Sequence, residues 1–141
     1  MIDISKIQFT EGLQFIPVRE NKRPIPHGWQ STKADYDFSN APNVGLVCGK
    51  LSGNFEALDF DLKYDLTGKL CQEYTALVKA IEPTLLDKMV VQKTPSGGYH
   101  FVYRCSFIEG NQKIANRHAT EEEKVIDEKV KVLIETRGEG G

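Results

Sequence analysis

Residues 55–62 read FEALDFDL. Side chains alternate across a strand, so Leu58 and Phe60 face one way and Asp59 and Asp61 the other. The first pair suits a core. The second sets two carboxylates side by side, and like charges at that spacing repel. A strand carrying them is relieved by a cation between them, and carboxylate oxygens suit hard divalent ions such as Mg²⁺ or Mn²⁺. Two acids on a solvated strand face would read the same, so the pair alone leaves both readings open.

Working outward from this strand gives the rest of the fold. On its N-terminal side, residues 13–19 (LQFIPVR) and 43–48 (NVGLVC) are short apolar runs that read as strands. The segment 20–30 holds Pro24, Pro26 and Gly28 and reads as a loop, and 49–54 as a turn. On its C-terminal side, residues 66–82 form the best helix, with Leu66, Leu70, Tyr74, Leu77, Val78 and Ile81 on one face. Thr67 is placed to cap its start, and Pro83 ends it. Residues 88–94 and 99–105 read as a hairpin around Pro95-Ser96-Gly97-Gly98. The polar stretch 111–128 reads as partly helical, and 129–135 (KVKVLIE) as a last strand. The pattern is α+β, with mostly antiparallel strands and one good helix between the third and fourth.

The bulk properties fit a soluble domain. At 141 residues the chain is of single-domain size, with 40% hydrophobic and 27% charged residues. The formal charge of −2 gives no overall basic excess, which argues against tight non-specific duplex binding while allowing a local basic groove. Cys48, Cys71 and Cys105 form no CxxC pair and read as reduced thiols, neither a disulfide framework nor a nucleophile. No window approaches the ~20 apolar residues of a membrane span, and no signal peptide opens the chain, so the expected location is cytoplasmic without membrane contact. The glycine-rich end after the last strand, Arg137 to Gly141, reads as a turn leading onward. We therefore expect an N-terminal piece of a longer protein.

Three further features carry chemistry. Thr94-Pro95-Ser96-Gly97-Gly98-Tyr99-His100 is a turn whose glycines allow close backbone approach and whose N–H groups suit phosphate oxygens, with His100 poised to donate as well. Ile134-Glu135-Thr136-Arg137 ends an apolar strand with an acid able to complete a three-carboxylate metal site, and an arginine able to reach phosphate. Lys22-Arg23-Pro24, followed by Gly28-Trp29, sets cations beside an aromatic, as a nucleotide or single strand would require. Each has a plain alternative: a half-exposed hairpin histidine, an ordinary charged strand end, and a tryptophan anchoring a loop to the core.

In their order along the chain, these features resemble the bifunctional primase-polymerase domain of the archaeo-eukaryotic primase superfamily, found in plasmid, phage and prophage replication proteins. Lys22-Arg23-Pro24…Gly28-Trp29 comes first, then Asn43–Gly49, Leu58-Asp59-Phe60-Asp61, Gly98-Tyr99-His100 and Ile134-Glu135. The likeness spans about residues 13–141. Glu135 stands where many relatives carry Asp, and the family's next strand and Pro-Pro-Ser-like segment lie beyond Gly141.

The resemblance implies a single catalytic domain over 1–141, truncated at its C-terminus: a sheet like that of an RNA-recognition motif, plus a small αβ subunit. It implies a nucleotidyltransferase that makes primers or extends DNA from NTPs or dNTPs on a DNA template and primer, with a helicase or ATPase domain to follow. Two Mg²⁺ or Mn²⁺ ions would bind Asp59, Asp61 and Glu135. One would lower the pKa of the attacking hydroxyl and the other would neutralise the triphosphate. Ser96, Gly97, Gly98 and His100 would hold the triphosphate, with Arg137 and Lys22 adding positive charge. Two other classes remain open. A metal-dependent phosphodiesterase or nuclease would recruit His27 or His118 to activate water. A non-catalytic nucleotide or single-strand binding module would bind without turnover.

Overall fold

The computed structural model describes residues 3–124 and 130–141. The chain divides into two compact units, one drawn from residues 1–56, 104–110 and 138–141, the other from 57–103 and 111–137. The architecture is mixed α+β, with antiparallel strand pairing and little helix. Among the described residues no helix is long and apolar enough to cross a membrane.

The first unit is built on β1 (Gln14–Val18) and β2 (Asn43–Val47), an antiparallel pair with Ile16 opposite Gly45. Gly45 is required there, because a β-carbon would come within 2.9 Å of the Val18 side chain. Ile16, Val18 and Val47 form the core, with Trp29, Tyr36 and Leu51 packed against it. Two polar side chains lock the ends. The fully buried Ser52 hydroxyl accepts from the Gln14 N–H at 2.8 Å and donates to the Val47 carbonyl at 2.5 Å. The buried Gln14 amide donates to the Ala34 carbonyl at 2.8 Å and accepts from the Ala34 N–H at 3.1 Å. Buried polar groups are tolerated when so satisfied.

The second unit centres on a five-stranded sheet. Its strands are β3 (Phe55–Phe60), β4 (Val90–Lys93), β5 (Tyr99–Arg104), β6 (Lys113–His118) and β7 (Val130–Arg137), in the order β4-β5-β3-β7-β6. β4 pairs antiparallel with β5, and β7 with both β3 and β6. Helix α1 (Leu70–Ile81) joins β3 to β4. Leu58, Phe60, Phe101 and Ile134 are the buried core, and Leu70, Cys71 and Tyr74 of α1 pack on it.

Two expectations need correction. The helix begins at Leu70, four residues later than its apolar spacing predicts, because Gly68 takes a left-handed φ of 69°. Asp65 and Thr67 form the lead-in: Asp65 Oδ2 accepts the Leu70 N–H and Thr67 Oγ1 the Lys69 N–H, both at 3.0 Å. The buried stripe is also narrower than predicted. Leu66, Leu77 and Ile81 are 68%, 59% and 75% exposed. At the other end, Glu82 is extended, as a residue before proline is pushed to be.

The second is at 111–128, read as partly helical: α2 (Glu121–Lys124) is helix, but residues 113–118, among the described ones, are strand β6, which the reading did not foresee. The rest of that expectation, from 125 on, lies outside the described residues. β6 is polar and largely exposed, an edge strand held by its ladder to β7 and not by an apolar face, so no alternation betrays it.

A capping box starts α2. The Thr120 N–H donates to Glu123 Oε2 at 2.8 Å, and the Glu123 N–H to Thr120 Oγ1 at 3.3 Å. Arg117 grips the same carboxylate with two bonds of 2.7 and 2.8 Å. These bonds, Arg117 first, pull the Glu123 carboxyl down to about 2. A depressed acid stabilises the fold above its unfolded pKa, and that contribution is lost as pH falls through the folded one. Between pH 4.5 and pH 2 the wild type should therefore lose stability that Glu123→Gln does not lose. Thermal melts of the two proteins at pH 5 and pH 2.5 check this. Parallel decline would show that the pair contributes nothing.

Candidate active site

Antiparallel pairing of β3 with β7 sets Asp59 directly opposite Glu135, and pairing of β7 with β6 sets Glu135 opposite Lys113. Directly opposed residues share a face, so the two acids are neighbours on the side away from Phe60 and Ile134. Asp61 follows just past the end of β3, where its N–H still donates to the Leu133 carbonyl at 3.0 Å. All three acids line one cavity of about 370 Å³, together with Tyr64, Lys113 and Lys131.

His100 of β5 approaches from the other side of Asp59, its Nε2 3.5 Å from Asp59 Oδ1. Arg137 Nη2 bridges the two acids, 3.3 Å from Asp59 Oδ2 and 2.6 Å from Glu135 Oε1. Hydrogen bonding from His100, then the charges of His100 and Arg137, hold the Asp59 carboxyl below the usual carboxylate range despite its partial burial. Asp61 turns to Lys63 at 3.0 Å. In this arrangement no three His, Cys, Asp or Glu side chains among the described residues gather closely enough to hold a metal ion. The donor type, three carboxylates on one cavity wall, is the kind that suits a hard cation, with Arg137 now shared between Asp59 and Glu135.

The Thr94–Gly98 turn closes the β4–β5 hairpin. The Thr94 N–H donates to the Gly98 carbonyl at 2.9 Å, and the Gly97 N–H to the Thr94 carbonyl at 3.0 Å. The Gly97 N–H is thus engaged within the turn. Ser96 Oγ lies 3.1 Å from Thr94 Oγ1, also within it. Gly97 has φ 91° and open space around it. Gly98 is buried against β3, where a β-carbon would run into the Phe60 backbone carbonyl and approach Thr94 Oγ1 to 3.3 Å. The second glycine is therefore fixed by the approach of two strands. Gly98→Ala should cost about 1–3 kcal/mol through overpacking, read by urea denaturation. A neutral result would mean that the hairpin shifts freely against β3.

The remaining sequence candidates are placed elsewhere. Lys22 belongs to the first unit, exposed in a tight turn at φ 64° with its N–H on the Arg19 carbonyl at 2.8 Å. Trp29 packs on that unit's core, as a loop anchor does. His27 is exposed in the first unit, and His118 is exposed at the end of β6, opposite Val130 of the cavity wall. Cys48, Cys71 and Cys105 are free, and burial pushes the Cys71 and Cys105 thiols up. Sequence reasoning missed Lys63, Tyr64, Lys113 and Lys131. Lys63 and Tyr64 sit just after the acidic strand and were within reach; Lys113 needed the unrecognised β6 register.

Comparison with family models, with curated proteins and with solved structures finds no match.

Proposed function

We propose that this chain is a metal-dependent nucleotidyltransferase of the primase-polymerase kind, synthesising primers or extending DNA. The observation that carries the reading is the opposition of Asp59 and Glu135 on adjacent strands, with Asp61 on the same cavity and His100 and Arg137 against Asp59. The sheet supports a likeness to the RNA-recognition-motif fold. Gly98 lies beside Phe60 and His100 beside Asp59, so β5 runs antiparallel to β3. β3, α1 and β4 then make a split βαβ unit with β5 inserted between its strands.

Asp59, Asp61 and Glu135 would hold Mg²⁺ or Mn²⁺. When bound, such ions acidify a hydroxyl and neutralise a triphosphate. The protein's own residues do the positioning. His100 orients the Asp59 carboxylate and presents a donor beside it. Arg137 bridges both acids, and with a cation held by them its guanidinium would be available to phosphate oxygens. Like other phosphoryl transfers, the reaction needs placement and charge stabilisation and no covalent nucleophile. The Ser96–Gly98 turn contributes mainly by setting His100 in register, since the Gly97 N–H is already bonded within it.

The experiment is primer extension on a short DNA template with dNTPs and Mn²⁺, beside an Asp59→Ala/Asp61→Ala double variant. Extension lost in the variant is the expected result. Metal-dependent nucleotide binding without extension by the wild type would favour a binding module. Template degradation would favour a nuclease.

A further inference from the structure

The basic side chains around the acidic row are not equally engaged. Arg137 is taken by Asp59 and Glu135, His100 by Asp59, and Lys63 by Asp61. Lys131 is only 7% exposed and lies over the Tyr64 ring at 5.0 Å, as part of the cavity wall. Lys113 differs from all of these. It stands directly opposite Glu135, it is exposed, and it lines the cavity with the three acids. Yet Glu135 gives its carboxylate to Arg137, and Lys113 has no ion-pair partner among the described residues. An exposed, uncommitted ammonium on the wall of such a cavity is a seat for an incoming anion.

Its place in the row says which anion. Across the sheet the order is His100, Asp59, Glu135, Lys113, one residue from each of β5, β3, β7 and β6. Three inter-strand spacings of ~4.8 Å put the two outer residues roughly 14 Å apart, with both acids between them. Phosphoryl transfer needs its attacking and leaving oxygens roughly in line, on opposite sides of the phosphorus. If the triphosphate lies at the His100 end, the strand that attacks arrives from the Lys113 end.

We infer that Lys113 binds a backbone phosphodiester of the strand being extended, on the acceptor side of the carboxylates. The inference rests on the nucleotidyltransferase reading above. In the step it serves, the 3′ oxygen bonds to the α-phosphorus as the bond from that phosphorus to the pyrophosphate oxygen breaks. The hydroxyl proton passes to solvent, and pyrophosphate leaves with the electron pair. Lys113 touches neither bond; it positions the strand.

The test compares wild type, Lys113→Met and Lys113→Arg. Lys113 is exposed on an edge strand, so both variants should fold. One readout is the separate KM values for primer-template and for dNTP. The other is fluorescence anisotropy of a labelled primer-template without dNTP, across a salt series. Lys113→Met should raise the primer-template KM about tenfold, equivalent to ~1.4 kcal/mol, with the dNTP KM within about twofold. The salt slope of binding should fall by about 1, as for one lost phosphate contact, and Lys113→Arg should restore most of both. Unchanged primer-template binding in Lys113→Met overturns the inference even where the wild type extends primers. A raised dNTP KM overturns it too, by moving the lysine to the triphosphate. Should the wild type bind primer-template through Lys113 without extending it, the strand contact stands and only the polymerase reading falls.

Discussion

On the proposed nucleotidyltransferase function, Asp59→Asn should cut metal-dependent nucleotide addition by at least ~10²–10³-fold while leaving the protein folded. Among the described residues Asp59 is the acid that touches both His100, through one oxygen, and Arg137, through the other. Asparagine is nearly isosteric and keeps a carbonyl oxygen, but it removes the charge that a divalent ion requires. The structural cost should be small. The carboxylate is about one-quarter exposed, and Arg137 keeps its shorter bond to Glu135. Exposed and half-exposed ion pairs contribute about 0–1 kcal/mol, and the change also relieves repulsion between Asp59 and Glu135. Single-nucleotide addition and a thermal melt on the same preparation separate the two effects. Retained activity would sink the metal-site reading. Gross unfolding would instead assign Asp59 a structural role.

What could be read ahead of the structure follows from where period-two alternation is strong. Leu58 and Phe60 alternating with Asp59 and Asp61, and an acid ending the apolar run to Ile134, made these carboxylates legible as candidates, whereas the opposition of Asp59 and Glu135 is a fact of strand pairing. The β4–β5 hairpin was legible from its turn residues. β6 was not, because a polar edge strand has no buried face to impose alternation. That omission hid Lys113 in turn: its meaning lies in its register against Glu135, a tertiary fact. The helix was found, but its buried face was drawn too wide. Leu77 and Ile81 keep helical spacing although nothing in the unit's core covers them. Trp29 shows the converse. Beside Lys22 and Arg23 it reads equally as a stacking platform or a loop anchor, and only its packing on Val18 and its neighbours decides between them.

The largest loss of stability should come from Phe60→Ala. Phe60 is 1% exposed and sits between the two aspartates in sequence, pointing to the opposite face. Its ring lies 4.9 Å from that of Phe101 and 5.1 Å from that of Tyr74, the latter edge-on at 78°. It therefore ties β3 to β5 and to α1 at once. Truncating a buried phenylalanine costs about 3–5 kcal/mol through lost transfer energy and the cavity left behind. Against a typical domain stability of 5–15 kcal/mol, that is enough to leave the second unit marginal. Phe107→Ala supplies the contrast: at 75% exposed, its removal should stay within about 0.5 kcal/mol. Urea denaturation of both variants checks the difference. The consequence reaches the site, because the strand that Phe60 anchors is the one that holds Asp59 opposite Glu135. On the proposed function, a folded Phe60→Ala protein should add nucleotides more slowly than wild type even under stabilising conditions. Near-wild-type stability in Phe60→Ala would mean that this core does not fix β3, and the close opposition of the acids would then need another cause.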